Sequence, residues 1–208
     1  MRTRSFFIAM AGVIVALPAL AQAPAAAPQG TPTRVRGTVE KLDGNVLMVK
    51  SRDGADVTVD LAPNFMVRGL AKKSLSDIHQ GDFIASTSVK GADGKLHAIE
   101  VHIFPEAMRG VVPELQAPWD LVPDSVMTNA VVQGVAAAPQ GNTLKMTYKG
   151  NETEMVVPPD IPIVTYIPGD ASLLKPGAAV FIMALKQPDG KMTSSNVTAE
   201  TNGIKPPM

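Results

Sequence analysis

The chain has 208 residues, with 19 basic and 19 acidic side chains and no net charge. That balance excludes the basic footprint that nucleic acid demands, and the absence of cysteine excludes disulfides, thiolate metal sites and a thiol nucleophile. Aromatics are 4% of the chain against 45% hydrophobic, so a core has to be built from aliphatic side chains and from the 11 methionines, which fill irregular gaps.

Residues 1–21 read as a secretory signal. Arg2 and Arg4 give the positive start, and Phe6 to Leu17 give an apolar run shorter than the roughly 20 residues a membrane span needs. Ala19-Leu20-Ala21 is a small-x-small cleavage site, with the cut expected after Ala21. A periplasmic mature chain follows as an expectation, with no later run long enough to span a bilayer. Residues 22–33 are rich in Ala and Pro and are expected to form a disordered leader.

From residue 34 to 104 the pattern alternates with period two, broken by turn signals. Val35, Gly37 and Val39 alternate with polar residues, and Asp43-Gly44-Asn45 turns the chain into a second strand, Val46 to Lys50. Arg52-Asp53-Gly54 leads to a third strand carrying Val57, Val59 and Leu61. Leu75 and Ile78 share one face of a single helical turn that Gly81 ends. Phe83 to Lys90 and Leu96 to Phe104 complete five strands, with Asp93-Gly94 between them. Five short strands with a helical turn before the fourth predict a small barrel, OB-like or SH3-like.

Residues 130–201 repeat this unit. Gly134 and Gly141 stand 97 residues after Gly37 and Gly44, while Gly177 and Asp189 stand 96 after Gly81 and Asp93. The fold expected is all-β: two tandem five-stranded barrels joined by an ordered apolar connector over 105–129, with a frayed tail at 202–208. Gly37-Thr38-Val39, Asp43-Gly44-Asn45, Ile78-x-x-Gly81-Asp82 and Asp93-Gly94-Lys95 resemble the pattern of a family of secreted bacterial OB-like repeat domains of unknown function. The second copy departs from it, with Ala178 for the aspartate and Pro139-Gln140 for Leu42-Asp43. The resemblance implies a fold and a compartment and carries no catalytic residue.

The connector is too long for an ordinary loop and too apolar for a disordered one. It holds the only tryptophan, Trp119, in a stretch with four prolines. Trp119 either wedges between the barrels or, with Asp120, Arg109 and Glu106, lines a groove for a partner. No catalytic residue, cofactor or metal ligand set is predicted. His97 and His102 are five apart and in a regular strand point to opposite faces. His79 lies in the helical turn, and Met108 and Met127 are the only soft donors near His102 in sequence. Glu152 and Glu154 share a strand face, as a solvated edge more than an acid/base pair. The expected function is a periplasmic, non-enzymatic binding or scaffold module for a protein or envelope component. The alternative is a metal-binding or metal-transport accessory protein.

Overall fold

The computed structural model describes residues 30–137 and 142–207. The expected signal sequence, most of the leader, and Gly141 of the second turn motif lie outside the described residues. The described chain is all-β, with short 3-10 turns and no α-helix, and among these residues no helix is long and apolar enough to cross a membrane.

The first three strands are β1 (Thr31–Asp43), β2 (Val46–Ser51) and β3 (Asp56–Lys73), followed by β4 (Phe83–Lys90) and β5 (Leu96–Ile103). The connector contributes β6 (Leu115–Pro118). The second copy supplies β7 (Val126–Ala136), β8 (Asn142–Tyr148), β9 (Asn151–Val157), β10 (Ile163–Gly169), β11 (Ala179–Lys186) and β12 (Met192–Ala199). β1 begins inside the expected leader, because Thr31 to Thr33 pair with Lys186 to Ala184.

Pairing does not follow the two sequential halves. β12, β11, β1, β2 and β3 pair in that order, and β12 returns to β3 in parallel, which closes a five-stranded barrel. Two of its strands therefore come from the second copy. The other five strands pair in the order β5, β4, β7, β8, β9, and β9 meets β5 again through Leu96 with Met155 and His97 with Val156. Here β4 and β5 come from the first copy. The expectation of one barrel per half thus gives way to a reciprocal exchange of the last two strands of each copy. The exchange crosses where the end of β3 runs antiparallel to β10, from Val67 opposite Gly169 to Lys73 opposite Ile163.

Each ring encloses its own aliphatic core, as strand alternation requires. Val35, Val39, Leu47, Val49, Val59, Val180 and Ile182 fill the first; Ile84, Val101, Ala130, Val132, Leu144, Met146 and Met155 fill the second. A third, aromatic cluster of Phe83, Phe104 and Phe181 lies on the outer faces, with Trp119 and Tyr166 packed against it.

Hydrogen bonds correct the repeat alignment. The Val132 oxygen accepts from Gly81 N–H and Val132 N–H donates to Asp82 oxygen, each at 2.8 Å. The Val39 oxygen accepts from Gly177 N–H and Val39 N–H donates to Ala178 oxygen, each at 2.9 Å. Val39 and Val132 are thus equivalent, and Gly37 and Gly134 are not; the extra residues fall in the hairpin after β7. A Cβ on Gly37 would sit 2.1 Å from the Lys50 carbonyl oxygen, whereas one on Gly134 would meet nothing within 4 Å. Gly37→Ala is expected to destabilise the chain by about 3 kcal/mol and Gly134→Ala to stay within about 0.5 kcal/mol of the parent. Urea denaturation of both variants measures this, and equal losses would contradict the equivalence.

Candidate functional site

The connector leaves β5 through a short 3-10 turn, Glu106–Met108, crosses the aromatic cluster and adds β6 beside β7, Leu115 opposite Asn129 to Pro118 opposite Val126. It is ordered and packed, as its composition predicts. Its four candidate residues fall into two pairs. Arg109 donates from Nε to Glu106 Oε1 at 2.6 Å and from Nη2 to the Gly81 carbonyl at 2.7 Å, and its guanidinium lies 5.8 Å from the Phe83 ring.

Trp119 and Asp120 form the other pair, against β1. The Arg34 guanidinium lies 3.7 Å from the centre of the Trp119 ring, and Arg36 lies 5.0 Å from Phe181. Such stacking of a cation on an aromatic face is attractive through the ring quadrupole. Asp120 Oδ1 accepts from Arg36 at 2.9 Å, and its second oxygen lies 3.6 Å from Arg34. Partial burial pushes the Asp120 carboxyl up, but the Arg36 bond and the two arginine charges outweigh it and hold it below the usual range. Arg52 donates to the carbonyls of Asp120 and Leu121 at 2.6 and 3.1 Å. Trp119 is half-buried, with one face covered by Arg34. The groove it was expected to line lies beside Asp120, and Trp119 is not among its walls.

Besides a groove of about 620 Å³ that reaches only Leu121 of it, two grooves border the connector. One, of about 880 Å³, runs between the β3–β10 crossover and the start of the connector, with Met66, Arg68, Met108, Val111, Tyr166 and Pro168 among its walls. Met66 and Val111 are 54% and 76% exposed there, unusual for large apolar side chains in one depression. The other, of about 340 Å³, lies beside β1 and carries Arg34, Arg36, Arg52 and Asp120.

A buried polar cluster behind the first groove escaped the sequence reading. Glu100 and His102 on β5 are wholly buried, with Glu100 Oε2 3.2 Å from His102 Nε2. That approach lacks hydrogen-bond geometry, so Glu100 Oε2 and both imidazole nitrogens have no hydrogen-bond partner among the described residues. Glu100 Oε1 accepts from the Thr87 amide at 2.8 Å, and the His102 ring lies 5.2 Å from that of Tyr166, which walls the groove. The cause is a bulge: Thr87 pairs with Glu100 but Ser88 pairs with Ala98, so Ile99 is extra. His97 opposite Val89 and His102 opposite Ala85 therefore share a face, contrary to the parity of a regular strand. They do not share a ligand set, since His97 contacts Asp93 at 3.0 Å. Among the described residues no group of three metal-binding side chains converges. The Glu-x-His spacing was the legible signal, because spacing two places both groups on one strand face.

Burial pushes the Glu100 carboxyl up to about 7, against the Thr87 bonds and the Arg36 charge, and drives the His102 imidazole down to about 3. Burial, then the Glu100 charge, also raise the Tyr166 phenol above its ordinary value. The pair is sealed from solvent.

Compared with family models, with curated proteins and with solved structures, the chain matches none.

The opposed shifts fix a pH signature. The contribution of Glu100, raised from 4.5, is complete below pH 4.5 and is lost as pH rises to about 7. That of His102, lowered from 6.5, is complete above pH 6.5 and is lost as pH falls toward 3. Between 4.5 and 6.5 the folded and unfolded pairs each hold one proton, on the carboxyl when folded and on the imidazole when unfolded. The pair adds no slope there. Glu100→Gln leaves His102 uncompensated, so relative to the parent the variant should lose on the order of 2 kcal/mol between pH 6.5 and about 5. Urea denaturation at each pH reads this directly, and a constant difference between variant and parent would refute the shared proton.

Proposed function

We propose that this chain is a non-enzymatic binding or scaffold module of the bacterial periplasm, built from two OB-like barrels with exchanged strands. The OB-like reading is supported by the order of the first ring, in which five strands close with the third and fifth parallel and a 3-10 turn precedes the fourth. The compartment rests on the positive start, apolar run and small-x-small site of residues 1–21.

One observation carries the binding role: the large groove at the start of the connector, whose exposed Met66 and Val111 are apolar side chains that no described element covers. A flexible methionine beside a rigid rim of Pro105, Tyr166 and Pro168 suits an apolar side chain of a partner protein. The contact surface thus remains on the connector, displaced from Trp119 toward Glu106 and Arg109. The sealed state of the Glu100–His102 pair supports a role in packing over one in catalysis.

A photo-crosslinking residue placed at Val111 in cells is expected to give a discrete adduct, and Met66→Glu to abolish it. Met66 is exposed, so the variant's melting temperature should stay within about 2 °C of the parent. An adduct that survives Met66→Glu would move the contact away from this groove, and no adduct at all would end the reading.

A further inference from the structure

The two copies treat one strand edge differently. In the second ring, β7 pairs with β4 on one side and, over Val126 to Asn129, with β6 on the other. β6 fills the space between that edge and the β8–β9 turn. Its flanking Glu114 accepts from Lys149 N–H at 2.6 Å, and Gln116 accepts from the Tyr148 hydroxyl at 3.2 Å. By the equivalence of Val39 and Val132, residues 126–129 correspond to Thr33 to Arg36 of β1. There β1 pairs with β11 on one side, while its pairing with β2 begins only at Gly37 opposite Ser51. Among the described residues no strand occupies the place that β6 takes in the second ring. The groove of about 340 Å³ lies at that place, between Thr33 to Arg36 and the β2–β3 turn.

The backbone there is set for pairing. Arg36 oxygen accepts from Arg52 N–H at 2.9 Å, so Arg36 directs its peptide groups toward the β2 side. Alternation directs those of Arg34 the same way, beyond the end of β2. Pro32, which has no N–H, is tolerated on such an edge. The walls supply the charge: Arg34, Arg36 and Arg52 face the carboxylates of Asp53 and Asp120, an excess of one positive charge. The Arg36 side chain is 10% exposed, and its buried Nε has no hydrogen-bond partner among the described residues. Asp120 shows that the Arg34–Arg36 pair grips a carboxylate.

We infer that this edge accepts an extended segment of a partner protein that carries carboxylates at alternate positions and adds as a strand to β1. Backbone hydrogen bonds supply affinity, and the arginines select for acid, as in strand addition generally. The template is the chain's own Glu114–Pro118 on β7, where an acidic side chain reaches the turn position that Arg52 holds in the first ring. The site is separate from the apolar groove, and the inference does not depend on that reading.

The test uses the purified chain and two capped octapeptides, one alternating Glu with Val and one alternating Lys with Val. Binding is followed through the emission of Trp119, which abuts Arg34, and through backbone amide shifts. The Glu peptide should saturate, with the largest shifts at Thr33 to Arg36, and the Lys peptide should not. Arg52→Gln, in an exposed turn, should weaken the Glu peptide about tenfold, while Met66→Glu leaves it unchanged. Equal binding of both peptides, shifts centred elsewhere, or no binding at millimolar peptide would each overturn the inference. The last result includes the case in which the chain's own N-terminal residues hold the edge.

Discussion

The pairing of β1 with β11 and of β4 with β7 is the constraint on which the rest of the molecule depends. Each ring borrows two strands from the other sequence copy, so neither aliphatic core is enclosed by one copy alone. Exchange also presses the outer faces of the two rings together. The aromatic cluster of Phe83, Phe104 and Phe181 forms there, and the Glu100–His102 pair is buried as a result. Polar groups on an outer strand face are normally solvated. β10 is held against them by the same crossover that joins the rings, with the Tyr166 ring 5.2 Å from that of His102.

What could be read in advance was local. The strands β1, β2, β8 and the first part of β3 follow from period-two alternation, and the turns follow from Asp-Gly and Gly-Asp signals whose geometry is set within a few residues. The recurrence of turn glycines and aliphatic positions at a near-constant interval was also legible. Partner choice was not legible. Val35 opposite Ile182 is no more favourable in composition than Val35 opposite a strand of its own copy, and only the path of β3 into β10 decides between them. That path was not seen because the third strand was followed only to Leu61, whereas β3 continues through an irregularity at Ala62 to Phe65 as one long strand.

The site divides the same way. Trp119 and Asp120 were found by residue type, since a lone tryptophan in an apolar connector is conspicuous and an adjacent acid seeks a cation. Which cations it meets, Arg34 and Arg36, depended on where the connector crosses β1. The relative facing of His97 and His102 turns on a single residue: Ile99 as a bulge reverses the parity of everything before it on β5. Gly37 and Gly134 failed for a related reason, because the second copy's longer hairpin slides one glycine along the ladder while leaving the sequence spacing intact.

The strand order also dictates a sequence of events as the polypeptide emerges from its N-terminal end. All five strands of the second ring lie between Phe83 and Val157, so that ring can close once its own residues are available. The first ring has to wait for Met192 to Ala199, well over a hundred residues after β3. Until β11 is made the outer edge of β1 stays open, and until β12 is made so does the edge of β3 from Val59 to Arg68, a form prone to pairing with other chains. Strands β1 to β3 are therefore made before the second ring yet enclosed after it, and a holding chaperone would find its substrate in those three strands.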